Sequence, residues 1–333
     1  MKTIGQIFEF KVAPYTNSRV TPIPCPDPAL LYGLELEIEG IQIDPTELYV
    51  GGMYGDADNS LRNTPLGRGW EYITKPATFS IVNLILTNFF NKAKFTEENY
   101  SERCSVHVHC NVQDMLPEQL KTLCLLYQTF EGVLYHFAGG DRENNIFCVP
   151  WAQTQITYKL LDTLEQGNVP LLRNWQKYTG LNLIPITALG TVEFRHLPGT
   201  CDKTRILNWM SLIGCMFRTA KSMEFKQIED LLLNVNTNSE YTKLVQIVFN
   251  GWEHLIDTHN CATLIEDGII NVKYLLHAKN EEHPKKIKMN PANPIVDYLN
   301  RRLEINPVPA PRPGVWAVFD DHQQVVEEER GQF

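Results

Sequence analysis

Strict alternation between apolar and charged residues constrains the fold of this chain more than any other feature. In LYGLELEIEG (31–40), leucine or isoleucine occupies the even positions 34 to 38, and glutamate occupies the odd positions 35 to 39. The segments SVHVHCN (105–111) and GTVEFRHL (190–197) alternate in the same way. Such a period of two indicates strands with one buried face, whereas strands covered on both faces are continuously apolar. The sequence therefore predicts an α+β fold, with helices packed on one face of an antiparallel sheet and an open polar face opposite.

Amphipathic segments between and after these strands predict the helices and the organisation of the chain. One helix starts at Pro76, a second is capped by Asp114 and ends at Gly139-Gly140, and a third covers residues 202–223. LNLIPIT and GTVEFRHL read as a hairpin around Gly190. We expect an irregular lead-in (1–29), a core (30–222), a helical C-terminal region (223–302) and a Pro-rich acidic tail (303–333).

Composition excludes several classes of protein. The 333 residues carry 30 Lys and Arg against 39 Asp and Glu, a net charge of -9, so no broad basic surface is available to a nucleic acid. The eight cysteines include no C-x-x-C pair, which favours reduced thiols. The N-terminus lacks a signal-peptide pattern, and the longest apolar run, at 80–90, is too short for a bilayer. We expect a cytoplasmic protein without membrane contact, and an oligomer is compatible with this composition.

The segment RCSVHVHCN (103–111) concentrates cysteine and histidine but does not predict a zinc site. In a strand, Cys104 and Cys110 share one face while His107 and His109 share the other. Four ligands of a tetrahedral site must converge on one ion, and the usual C-x2–4-C and H-x3–5-H spacings are both missing. The two cysteines therefore belong to the core, and the histidines belong to the open polar face.

The open face collects acids, imidazoles and one arginine. Its members are Glu35, Glu37, Glu71, His107, His109, Glu193 and Arg195. Any solvated strand face carries charge, but such a face usually mixes lysine with glutamate. Two carboxylates about 4 Å apart repel by roughly 4 kcal/mol at an effective dielectric constant of about 20, and divalent cations reverse that cost. Carboxylates suit Mg2+ or Mn2+, and an adjacent arginine suits a phosphate, so the face predicts a metal–nucleotide site.

Two other classes of function fit the same face. A metal-dependent phosphoesterase or hydrolase uses the same acids and histidines, without ATP and without need of the Glu193–Arg195 pair. A non-catalytic binding or structural protein keeps the sheet for stability alone. In that case, replacing Glu35 and Glu37 by glutamine leaves the fold unchanged or stabilises it.

Seven short motifs together resemble a known family. They are GLELEIE (33–39), DNS (58–60), EYITKP (71–76), CSVHVHC (104–110), RENN (142–145), KYTGLN (177–182) and GTVEFRHLPGT (190–200). Each motif is weak alone, but the ordered set is specific. It resembles the amidoligase family, within the glutamine synthetase and γ-glutamylcysteine synthetase superfamily of carboxylate–amine ligases.

The resemblance implies a fold, an activity and cofactors. It implies a glutamine synthetase-like catalytic domain in which the concave face of the sheet binds ATP with Mg2+ or Mn2+. The implied enzyme transfers the γ-phosphate of ATP to a carboxylate substrate, and an amine substrate then attacks the acyl phosphate to give an amide. Neither substrate is identified by the sequence.

The resemblance also implies roles for individual residues. The implied metal ligands are Glu35, Glu37, Glu71, His107 and Glu193. Arg195 matches a phosphate and acyl-phosphate clamp, and Asp58 a group that positions or deprotonates the amine. Two residues have alternative interpretations. Arg142 is either a phosphate contact or a structural arginine in a loop at a helix end, and His109 supports a metal ligand, contacts the nucleotide or pairs with a neighbouring side chain. Ser105 stands where the family motif has glycine, and Asn59 replaces the glycine of D-G-S. By position, the loop 51–69 and residues 146–176, with Trp151, Tyr158, Arg173 and Trp175, are expected to line the acceptor side.

Overall fold

The computed structural model describes residues 2–10, 12–41, 50–63, 67–92, 95–154 and 168–278, and the strands 316–319 and 325–328. The chain divides into two units, residues 1–285 and 286–333. In the second unit, Trp316–Phe319 and Val325–Glu328 pair as antiparallel strands. The rest of the predicted acidic tail lies outside the described residues.

The first unit is built around a seven-stranded sheet. Its strands are β1 (Leu31–Ile41), β2 (Met53–Ala57), β3 (Arg68–Thr74), β4 (Ala77–Thr78), β5 (Ser105–Asn111), β6 (Leu181–Asn182) and β7 (Thr191–Pro198). They lie in the order β2-β3-β1-β5-β7-β6, with β4 paired to the start of β1. Every pairing between these strands is antiparallel. The predicted α+β class with an antiparallel sheet is confirmed.

Helices cover the apolar face of the sheet. The described helices of this unit are α1 (Ile4–Phe8), α2 (Phe79–Lys92), α3 (Pro117–Ala138), α4 (Ile186–Leu189), α5 (Lys203–Ser222), α6 (Phe225–Asn234), α7 (Asn238–Val248) and α8 (Ala262–Ala278). The short α4 is the exception, since it borders the cavity on the polar face. Helix α3 contacts β7, α5 and α8, and the core-facing Leu34, Val108 and Phe194 are fully buried. Among the described residues, no helix combines the length and the apolarity needed to cross a membrane.

Several predicted boundaries are wrong because tertiary pairing overrides local signals. Helix α2 starts at Phe79 rather than Pro76, since Ala77 and Thr78 pair with β1. Asp114 does not cap α3, whose N-cap is Leu116; it accepts a 2.7 Å bond from Lys221 instead. Strands β6 and β7 do pair, but the short helix α4 lies between them, so they are not joined by a simple hairpin. The lead-in contains the short helix α1.

One face of α3 carries a buried polar stripe at intervals of four residues, formed by Tyr127, Glu131 and Tyr135. The hydroxyl of Tyr127 donates to Glu131 at 2.8 Å, and the backbone N–H groups of residues 151 and 152 donate to the same carboxyl at 2.6 and 3.0 Å. The hydroxyl of Tyr135 donates to the carbonyl of residue 148 at 2.7 Å. A Cβ at Gly180 would lie 2.5 Å from the Tyr135 oxygen. The stripe therefore fixes the two segments that carry Phe147 and Tyr178.

Candidate functional site

The polar face of the sheet forms one side of a cavity of about 550 Å3. Strand register brings the predicted residues together there. Glu35 of β1 pairs with His107 of β5, and Glu37 pairs with Glu71 of β3. On the other edge of β5, His109 pairs with Glu193 of β7. All of these residues, with Asp58 and Arg195, line the cavity.

The carboxylates form two groups that share His107. Nδ1 of His107 lies 3.1 Å from Glu35 and 3.3 Å from Glu193, while Nε2 lies 4.0 Å from Glu37. Within each group, Glu35–His107–Glu193 and Glu37–Glu71–His107, one ligand atom per residue lies within 4.8 Å of the others. A neutral imidazole offers one free nitrogen. His107 can therefore serve only one of the two groups at a time.

Ser105 holds the group that contains Glu37. Its backbone N–H donates to Glu37 Oε2 at 2.7 Å, and its hydroxyl lies 2.5 Å from the same oxygen and 2.8 Å from His107 Nε2. The hydroxyl thus connects two candidate metal ligands. A glycine here, as in the family motif, would lack this connection.

His109 supports the other group. Its Nε2 lies 3.0 Å from Glu35, and its Nδ1 lies 3.0 Å from the hydroxyl of Thr191. Burial alone lowers the pKa of His109, but the hydrogen bond and charge of Glu35 outweigh burial and raise it. Burial alone raises the pKa of Glu35, yet the bonds from His107 and His109 hold it well below the ordinary value.

Glu71 is protonated more readily than an ordinary glutamate. Burial and then the charges of Glu35, Glu37 and Asp58 raise its pKa to about 8. A bound cation would reduce this repulsion between the carboxylates. The donor set, four carboxylates and an imidazole within a few ångströms, fits Mg2+ or Mn2+.

Arg195 lines the cavity beside the carboxylate of Glu193. Its guanidinium bonds to Glu193 and donates through Nε to the carbonyl of Phe147 at 3.2 Å. Asn182 donates to the other oxygen of Glu193 at 2.7 Å. Burial raises the pKa of Glu193, but the charges of His107 and Arg195 outweigh burial and lower it. Glu193 is thus held ionised beside the guanidinium.

Arg142 is not brought to the cavity. It is buried, and its guanidinium donates to the backbone carbonyls of Arg195 at 2.9 Å and of His196 at 3.0 Å. Its contacts therefore support β7, whereas the sequence suggested that Arg142 contacts a phosphate group. Asp58 does line the cavity, and its carboxylate accepts from the backbone of Ser60 at 2.7 Å.

The acceptor side differs from the expectation. Trp151 and Trp175 are core residues, and neither they nor Arg173 line the cavity, while Tyr158 lies outside the described residues. A second wall of the cavity, which carries no carboxylate, is formed instead by Phe147, Lys177, Tyr178, Ile184, Pro185, Ala188 and Leu189. Phe147 belongs to the region 146–176 that was expected to line the site, and Ala57, Asp58 and Ser60 of the expected loop 51–69 line the cavity too. Lys177 and Tyr178 lie in the KYTGLN motif, and no role was predicted for residues 184–189.

The comparison with protein families agrees with the geometry. Residues 80–215 match the model of a family described as "Putative amidoligase enzyme". No curated protein matches the chain. The matched segment contains β5 and β7, which carry both histidines, Glu193 and Arg195, whereas the acids of β1 and β3 precede it. The match confirms the resemblance over this segment and indicates an amide-bond-forming ligase.

Proposed function

We propose that the protein is an ATP- and Mg2+-dependent carboxylate–amine ligase with a glutamine synthetase-like catalytic architecture. The single observation that supports this most is the convergence of Glu35, Glu37, Glu71, His107 and Glu193 beside Arg195 in one cavity. The family match over residues 80–215 points to the same reaction. The eight free cysteines agree with a cytoplasmic location.

The proposed reaction has two steps. A carboxylate oxygen of the acid attacks the γ-phosphorus of ATP, ADP leaves, and an acyl phosphate forms. The amine nitrogen then attacks the acyl carbon, loses a proton and expels phosphate. Divalent cations held by the two carboxylate groups would neutralise charge on the phosphate oxygens.

The chain's own residues have distinct tasks in this scheme. Arg195, fixed by Glu193 and the Phe147 carbonyl, holds the transferring phosphoryl group. Asp58 positions the amine or accepts its proton. His109 orients Glu35 and contacts the nucleotide. Arg142 supports β7, the strand that carries Arg195.

Calorimetric titration of ATP, with and without Mg2+, tests the site. We expect Mg2+-dependent binding that Glu35→Gln/Glu37→Gln abolishes while the fold is kept. The matched control is Glu97→Gln/Glu98→Gln, which removes the same charge from an exposed turn. Unchanged Mg-ATP affinity in the first double variant would show that the site is wrong.

The reaction itself is tested without knowledge of the amine. Hydroxylamine attacks acyl phosphates and converts them to hydroxamates, so it replaces the unknown amine while pools of acids are screened for hydroxamate and ADP. Acid-dependent formation of both products supports the ligase. Metal-dependent phosphate release from esters without ATP supports the hydrolase alternative, and binding of neither metal nor nucleotide supports the non-catalytic one.

A further inference from the structure

The second wall of the cavity is apolar except for Lys177, whose ammonium lies 5.6 Å from the centre of the Tyr178 ring. Helix α4 and the two residues before it contribute Ile184, Pro185, Ala188 and Leu189 to this wall. Leu189 is 57% exposed and Tyr178 is 42% exposed, although both side chains are large. The side chains of residues 184, 185, 188 and 189 offer no partner to a phosphate group or a metal ion. The exposure of this wall beside a charged site indicates that an apolar part of a ligand covers it.

The apolar wall is rigidly built. Gly190 ends α4 at a φ of 68°. The N–H of Leu189 donates to the Pro185 carbonyl at 2.7 Å. From the neighbouring strand connection, the Gln113 side chain donates to the Leu189 carbonyl at 3.1 Å. Leu189 is therefore held in its exposed position by the backbone around it.

The wall begins next to Arg195. The guanidinium carbon of Arg195 lies 5.9 Å from the centre of the Tyr178 ring. Phe147, whose carbonyl accepts from Arg195, packs edge-on against the same ring at 5.5 Å. A group bound at Arg195 thus has an apolar surface directly beside it.

We propose that this wall, Phe147, Tyr178 and the apolar residues of 184–189, binds the apolar body of the acid substrate. The inference rests on the proposed function, in which Arg195 holds the transferring phosphoryl group. The body of the acid is attached to the carboxyl that receives this group, so it lies next to Arg195. The base of ATP lies at the far end of the triphosphate chain from the same point. Proximity to Arg195 therefore assigns the wall to an acid with an aliphatic or aromatic body.

The test compares two acids of six carbons, hexanoate and gluconate, in the hydroxylamine assay with Mg-ATP. We expect hexanoate to give hydroxamate with a higher kcat/KM than gluconate. Leu189→Ser should lower kcat/KM for hexanoate about tenfold and leave the Kd of Mg-ATP unchanged. Tyr178→Ser should act in the same direction. The control is Ile247→Ser, which changes a comparably exposed side chain, 42% exposed, on the separate helix α7.

The outcomes separate this inference from the proposed function. Absence of Mg-ATP binding in the unaltered protein refutes the proposed function first. When Mg-ATP binds, equal or better use of gluconate, or no hydroxamate from hexanoate, overturns the assignment of the wall. A weaker Mg-ATP affinity in Leu189→Ser with an unchanged acid profile assigns the wall to the nucleotide base instead.

Discussion

Glu131, at the centre of the polar stripe on α3, makes stability depend on pH. Its side chain is 4% exposed, and burial raises its pKa from the ordinary 4.5 to about 7, although three hydrogen bonds to the carboxylate oppose the shift. A carboxyl with a raised pKa binds its proton more tightly in the folded state than in the unfolded state. It therefore contributes its full stability below pH 4.5, and this contribution is lost as the pH rises through about 7.

The size of the effect follows from the two pKa values. Between pH 5 and pH 8, proton linkage at this one group lowers the free energy of unfolding by about 2.5 kcal/mol. Glu131→Gln has no proton to bind in either state, so its stability lacks this component. Its stability is lower overall, because the two backbone N–H groups donate to different oxygens of Glu131 and an amide keeps only one of these two acceptors.

Urea denaturation at pH 5, 6, 7 and 8 with a chelator present measures the effect. The difference in unfolding free energy between the unaltered protein and Glu131→Gln should shrink by about 2.5 kcal/mol over this range. Glu118→Gln, an exposed acid on the same helix, is the control and should follow the unaltered protein. Parallel curves for the unaltered protein and Glu131→Gln would refute the reasoning, because burial would then not govern this carboxyl.

Three further predictions concern the sheet and the cavity. Gly180→Ala should destabilise the protein by about 1 to 3 kcal/mol in urea denaturation, because its Cβ would lie 2.5 Å from the Tyr135 oxygen, whereas Gly33→Ala, with 3.6 Å to its nearest neighbour, should change little. Ser105→Ala should weaken Mn2+ binding about tenfold by calorimetry, since Glu37 and His107 lose their common partner; unchanged affinity would remove Ser105 from the site. Mg2+ at about one hundred times its Kd should raise the unfolding free energy by about 2.7 kcal/mol, and Glu37→Gln should reduce this gain.

The faces of the strands were predictable from the sequence because a strand has a period of two. That period alone placed Glu35, Glu37, His107 and Glu193 on the cavity side and the cysteines in the core. Antiparallel pairing then had to bring the acids together, and the register of β1 with β3 and β5 does so.

The remaining features depend on contacts between segments that are distant in sequence. Two carbonyls that accept from Arg142 belong to β7, more than fifty residues away. No local sequence pattern predicts these contacts. Pro76 carries a strong helix-start signal, but the pairing of Ala77 with β1 takes precedence. The buried stripe on α3 had a sequence signal, two tyrosines and a glutamate at intervals of four, within a helix that is otherwise apolar on that face.

The two faces of strand β5 carry two kinds of potential metal ligand, cysteine on the core side and histidine on the cavity side. Cys110 of this strand and Cys104, the residue before it, are buried away from the cavity. Burial raises the pKa of Cys110 far above the ordinary value and that of Cys104 to about 11. The histidines of β5 face the cavity, and no cysteine is among the described residues that line it. A zinc or copper ion that enters the cavity therefore meets no thiolate, although Cys110 is the residue directly after His109 in the chain. The alternation of a single strand thus favours hard cations over soft ones, and it also shields the thiols from oxidants that reach the site.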